Sequence, residues 1–218
     1  MAFLRYIYHL ISHIIHRNWY SIRRSYIWPE SSYKRGLLKR VQVLYNIPSF
    51  VETGTFKGDT TRTLRRHFKK LWTIELDDGL FEAARLKLAR YPNIVCLHGD
   101  SKEVLKQNVP ELDSPTLFWL DGHYSGQGTA KGEIAAPLLE ELSIIAQSSV
   151  RGHIIAIDDI SDFCRKNGNT RLSAILQKLE EMNPQFKFYF DYDILFALPM
   201  EGVHREFWRK IAYPIVIR

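Results

Sequence analysis

The chain has 218 residues and a mass of 25.6 kDa, with 45% hydrophobic and 25% charged residues. That composition fills a core and excludes intrinsic disorder, while the length excludes a large multidomain assembly. The net charge is +6, yet residues 1–40 carry eight Lys and Arg against Glu30 alone and the remaining 178 carry 22 bases and 23 acids, so a folded body coated in phosphate-binding charge is disfavoured.

In chain order, Phe3, Leu4, Ile7, Leu10, Ile11, Ile14 and Ile15 recur at helical spacing, which predicts an amphipathic helix. Trp19, Tyr20, Arg23, Arg24, Tyr26 and Trp28 then mix aromatics with cations, as a segment at an anionic headgroup boundary does. The competing reading packs this helix on its own domain or on a second copy of the chain, giving a homodimer. A second helix, Tyr33–Tyr45, is stopped by Pro48. Residues 1–45 thus form a basic helical leader, and 46–218 the domain proper.

From Ser49 the pattern alternates. Strands are predicted at Phe50–Glu52, Leu71–Leu76, Ile94–His98, Thr116–Leu120, Ile154–Ile157, Phe186–Phe190 and Ile194–Leu198. Helices are predicted between them at Asp59–Lys69, Gly79–Arg90, Lys102–Lys106, Glu133–Ala146 and Thr170–Met182. Apolar runs separated by helices mark an α/β fold, a mostly parallel sheet with crossovers on both faces. The tight turn Asp191-Tyr192-Asp193 predicts an antiparallel hairpin at its end.

In such sheets ligands sit beyond the carboxyl ends of the strands. The first strand ends Glu52-Thr53-Gly54-Thr55-Phe56-Lys57-Gly58, where Gly54 permits a sharp turn and Gly58 a close helix start. The acid ahead of the turn suits a cationic ligand group and repels a pyrophosphate. Glu75 closes the second strand, where a carboxylate can accept both hydroxyls of a ribose. Asp100 and Ser101 close the third and suit a purine amine and ring, although Asp100 or Asp78 taken singly reads equally as a helix cap. Asp121 closes the fourth and Asp158-Asp159 the fifth, and three carboxylates above adjacent strands are a plausible ligand set for Mg²⁺ or another divalent cation. The alternative for that trio is hydrogen bonding to substrate without metal.

Over residues 49–199 the sequence resembles the class I S-adenosylmethionine-dependent methyltransferases. The resemblance implies a Rossmann-like, doubly wound sheet of strand order 3-2-1-4-5-7-6 and S-adenosylmethionine as cofactor. It places Glu52, Thr53, Gly54 and Gly58 at the methionine end, Glu75 at the ribose, Asp100 and Ser101 at the adenine, and Asp121 beside them. The pattern is similar to the metal-dependent O-methyltransferases of the catechol and macrolide-sugar types, which implies Asp121, Asp158 and Asp159 as metal ligands. The Asp158-Asp159 pair, where the catechol type has Asp-Asn, moves the comparison toward the sugar-modifying group.

The expected reaction is O-methylation of a small-molecule or glycan hydroxyl, with Asp121 in the catalytic set. His123 is the first choice of base and Lys131 the second, because an imidazole titrates near neutrality. His123 reads equally as a residue that orients Asp121. Gly122, Gly126, Gly128 and Gly132 give the loop after the fourth strand unusual freedom, as a lid over substrate would need, and Tyr124 could stack on a sugar or aromatic ring.

One rival reading changes the acceptor to nucleic acid, against the near-neutral domain. Another is a cofactor-binding or membrane-associated scaffold without turnover. Two distant cysteines, Cys96 and Cys164, fit a reducing compartment, so the expectation is a cytoplasmic protein, with peripheral contact at the inner face of a membrane following only from the lipid reading of the leader.

Overall fold

The structure, a computed structural model, describes residues 30–121, 136–160, 163, 172–191 and 193–199. The predicted leader helix, Cys164, and the loop residues His123, Tyr124 and Lys131 lie outside them. The chain divides into two units, Met1–Arg40 and Val41–Arg218. The boundary falls within the helix α1, Glu30–Tyr45. That helix ends as the sequence suggests: Asn46 takes a left-handed conformation at φ 51, and Pro48 follows.

The second unit is built on β1 (Ser49–Thr53), β2 (Lys70–Glu75), β3 (Ile94–His98), β4 (Thr116–Leu120), β5 (Ile154–Ile157), β6 (Lys187–Asp191) and β7 (Ile194–Leu198). They form one seven-stranded sheet of order β3-β2-β1-β4-β5-β7-β6. The first five strands are mutually parallel, and β7 lies antiparallel between β5 and β6. The expected class, order and terminal hairpin are therefore the observed ones.

Burial follows position. The central strands β1, β4 and β5 are buried at every residue; β4 and β5 accordingly read as apolar runs, whereas β1 buries Ser49, Glu52 and Thr53 as well. At the edge, β3 pairs on one side only and is half-exposed throughout. Crossovers are made by α2 (Asp59–Leu64), α3 (Asp78–Leu88), α4 (Ser101–Asn108), α5 (Ala136–Ile145) and α6 (Leu172–Met182). A short 3-10 turn, Val109–Glu111, closes the path to β4. Ile175 and Leu179, one turn apart on α6, enter the same core as Phe118, Leu120, Ile155 and Ile157.

The buried His153 is a structural histidine at the start of β5. Its Nδ1 accepts the Thr116 N–H at 3.2 Å and its Nε2 meets the Ser148 hydroxyl at 2.9 Å. Burial first, and Arg151 second, push its pKa down to about 4, so a neutral ring supplies the acceptor that β4 needs at its first residue. Among the described residues no helix is long and apolar enough to cross a membrane.

Candidate functional site

The parallel register pairs Thr53 with Ile74 and Leu120 and Glu75 with His98, at the carboxyl ends of four adjacent strands. Four segments leave the sheet there side by side, which gathers the chemistry-bearing residues. After β1 the chain turns through Gly54 at φ 83, Phe56 at φ 48 and Gly58 at φ 68. The N–H groups of Gly54 and Thr55 both donate to the Ile74 carbonyl at 3.0 Å, locking the turn onto β2. A Cβ on Gly54 would stand 2.8 Å from Asp121 Oδ2, so the Asp121 carboxylate rests against the bare glycine backbone. Gly58 has a different reason: a Cβ there would lie 3.0 Å from Leu88 of α3, so it allows close packing against that helix.

Glu75, 9% exposed, is a latch between two loops. Its Oε2 accepts the Phe56 N–H at 2.7 Å, and its Oε1 accepts the N–H groups of Leu76 and Asp77, each at 3.0 Å. Three backbone donors hold the carboxylate in one orientation at the tip of β2. Beside it, Leu76 is 46% exposed although apolar, and the Phe81 ring stacks on His98 at 4.6 Å.

Glu52 faces a different way from the sequence reading, which gave it to a cationic ligand group. The structure turns its carboxylate inward, where Oε2 accepts the hydroxyls of Thr61 at 2.5 Å and Thr73 at 2.9 Å. The side chain is 2% exposed and ties α2 to β2 beneath the glycine turn. Thr53 is likewise buried, its hydroxyl accepting the Asp121 N–H at 3.2 Å. Asp100 acts as the N-cap of α4, with Oδ1 on the Lys102 N–H at 2.9 Å. The Ser101 hydroxyl donates to Glu141 Oε1 on α5.

Glu141 was not singled out from the sequence. It is 4% exposed, and the charges of Asp100 and Asp121 act on it. The signal was present, because Glu141 is three residues after Leu138 and four before Ile145, both buried, and so falls on the apolar stripe of α5. A carboxylate on a buried stripe needs a partner, and here Ser101 supplies it.

Burial, the largest cause in each case, pushes the carboxyls of Glu52 and Glu141 up to about 7. Both therefore hold protons in the folded protein at pH values where the unfolded chain, near 4.5, has released them. Their contribution to stability is complete below about 4.5 and is lost as pH rises through about 7. Glu52→Gln removes one titrating group, so its thermal midpoint is expected to fall less than that of wild type across this window, by on the order of 5 °C. Parallel curves would show that Glu52 does not titrate there.

Asp158 Oδ1 accepts the Asp159 N–H at 2.9 Å, and Asp159 sits at φ 50 as the chain leaves β5. Among the described residues no group of three His, Cys, Asp or Glu side chains is placed to hold a metal ion. Asp121, Asp158 and Asp159 are thus not gathered into the three-carboxylate ligand set expected from the sequence.

No protein-family profile matches the chain. A stretch of 117 residues is 28% identical to the ribosomal RNA small subunit methyltransferase A of Caldanaerobacter subterraneus, covering 52% of this chain and 44% of that protein, so the chain spans less than half the length of that relative. Among solved structures, an O-methyltransferase from Bacillus cereus in complex with SAH superposes with a TM-score of 0.55 at 17% identity, covering 79% of this chain and 82% of that one. The O-methyltransferase TomG from Streptomyces achromogenes, in complex with SAM and involved in tomaymycin synthesis, gives 0.52 at 18% identity, over 81% and 85% of the two chains. The chain has the fold of the class I S-adenosylmethionine-dependent methyltransferases.

Proposed function

We propose that this chain is an S-adenosylmethionine-dependent methyltransferase acting on a hydroxyl of a small molecule or glycan. The observation that carries the reading is the convergence of a latched glycine turn, Glu75 and Asp100 over three neighbouring strand ends of this sheet. Glu75 takes the ribose. Its Oε1 already accepts two N–H groups while Oε2 accepts one, so one hydroxyl enters at Oε2 directly and the second replaces the Phe56 N–H as the glycine turn adjusts. Asp100 has one oxygen in the helix cap and offers the other to the adenine amine, against the apolar surface of Leu76. Glu52 acts from below, holding the turn through Thr61 and Thr73.

The sulfonium supplies the leaving group, so the protein's share is positioning and proton removal. The acceptor oxygen forms the new C–O bond as the methyl–sulfur bond breaks. S-adenosylhomocysteine leaves as a neutral thioether, and the hydroxyl proton passes to a base, for which His123 is proposed first and Lys131 second. Tyr124 is proposed on the acceptor side. The described carboxylates do not fit a divalent ion as a set, and no step here is drawn through one. An RNA acceptor, the reading suggested by the ribosomal RNA relative, would bring phosphates to a rim of carboxylates at Glu75, Asp100, Asp121 and Asp158, which is unfavourable.

The test is methyl transfer from labelled S-adenosylmethionine to the pooled small molecules and glycans and to the RNA of one cell extract, with and without EDTA. Label in the small-molecule or glycan fraction supports the reading; label confined to RNA overturns the acceptor class, and label in neither overturns the activity. Asp158→Asn is expected to leave S-adenosylhomocysteine affinity unchanged and to lower turnover by about 100-fold, as the loss of a charged hydrogen-bonding group at the acceptor does. Full activity in that variant would remove Asp158 from the acceptor side.

A further inference from the structure

The near-balance of charge over residues 41–218 conceals a separation of signs along the strand direction. The carboxyl ends of the strands carry Glu75, Asp77, Asp100, Asp121 and Asp158. At the opposite end, on the β2–β3 half of the sheet, the chain collects cations. Arg65 and Arg66 follow α2, Lys69 and Lys70 lead into β2, and Arg90 follows α3.

These five residues belong to one surface because their segments are tied together. Asn93 Nδ2 donates to the carbonyls of Arg65 at 2.8 Å and Phe68 at 3.1 Å, and the Leu71 N–H donates to the Asn93 carbonyl. The guanidinium groups of Arg65 and Arg90 both stand over the Tyr91 ring, at 4.7 and 5.1 Å from its centroid, and the Lys70 ammonium lies 4.4 Å from the Trp72 ring centre. Ring contacts hold charge in place without neutralising it. None of the five has a carboxylate partner among the described residues: Asp59 is taken by Arg62 and Lys87, and Glu82 by Arg85. The other acids on this edge, Glu111 and Asp113, precede β4, two strands from β2 or about 10 Å away.

We propose that this basic pole docks electrostatically on an anionic lipid surface, with the carboxylate-rimmed cleft directed away from the bilayer. The six residues of β2 separate the two poles by about 20 Å, more than twice the screening length of about 8 Å at physiological ionic strength. The acidic rim therefore does not cancel the attraction felt at the basic pole, and its repulsion from the same surface sets the orientation. The binding is adsorption rather than insertion, since segments 62–70 and 90–93 expose no large apolar side chain and the Trp72 and Phe68 rings are turned into the core. A flat surface engages the basic pole alone, whereas a nucleic acid acceptor bound there would still have to enter the acidic rim. The inference does not depend on the methyl-transfer reading.

The test compares the full chain with Arg66→Glu/Lys69→Glu, and with the neutralising pair Arg66→Gln/Lys69→Gln. Both positions are exposed, and neither belongs to the cleft. In sedimentation with vesicles of phosphatidylcholine and phosphatidylserine in equal parts, charge reversal is expected to weaken binding by roughly tenfold or more and neutralisation by less. Pure phosphatidylcholine vesicles should not pellet the protein, and thermal midpoint and S-adenosylhomocysteine affinity should stay at wild-type values. Equal pelleting of all three proteins overturns the proposal. A loss of affinity for an RNA oligonucleotide without any loss for the vesicles also overturns it, and identifies the pole as a nucleic acid contact.

Discussion

Replacing Glu75 by alanine is expected to abolish measurable binding of S-adenosylhomocysteine, a loss of about 100-fold or more. The size follows from what the side chain does. Its two oxygens fix the Phe56, Leu76 and Asp77 N–H groups and, in the proposed complex, the ribose hydroxyls. Each hydrogen bond to a charged group contributes roughly 1.5–3 kcal/mol, so two lost ribose contacts alone reach that factor. Glu75→Gln separates the roles, because an amide keeps one acceptor oxygen but sets a donor against the N–H groups on the other side. It should retain the fold and still bind at least tenfold more weakly. Calorimetric titration checks both variants, and wild-type affinity in Glu75→Ala would place the ribose elsewhere.

The second large effect is expected at Gly54. Alanine there must adopt φ near 83 and bring its Cβ to 2.8 Å from Asp121 Oδ2. Left-handed strain of this kind costs on the order of 1–3 kcal/mol, and the carboxylate must move as well. In the proposed complex the Asp121 side chain lies beside the cofactor, so affinity should fall by about 10- to 100-fold while the thermal midpoint drops by several degrees. Gly58→Ala is the useful contrast. Its Cβ meets the flexible end of Leu88 at 3.0 Å, so stability should suffer more than binding. Equal losses of affinity in the two variants would argue that the turn acts only as a unit of folding.

The fold was legible because its driving pattern is local. β4 and β5 are short runs of apolar residues bounded by polar turns, and burial on both faces requires nothing else of them. Helix lengths were less legible. The predicted helix Asp59–Lys69 ends at Leu64, where the chain tightens with the His67 N–H on the Leu64 carbonyl and then places the Lys69 N–H on the Pro48 carbonyl to enter the sheet. Sheet pairing there overrides helix propensity.

In the site, sequence position identified the strand-end acids but not their partners. That Glu52 belongs to Thr61 and Thr73, that Glu75 latches Phe56, and that Ser101 serves Glu141 are tertiary facts with sequence separations of 9 to 40 residues. The basic pole was hidden for a similar reason: a sum over the chain cannot register that Arg65, Lys70 and Arg90 meet at one end of β2 and β3 while the carboxylates meet at the other.

In the proposed complex S-adenosylmethionine lies across the carboxyl ends of β1, β2 and β3. Crystals of the full chain grown with S-adenosylhomocysteine are expected to show density with both ribose hydroxyls on Glu75, the adenine between Asp100 and Leu76, and the homocysteine over Gly54 beside Asp121. Density at any other end or face of the sheet, or an empty cleft at saturating ligand, would contradict that placement.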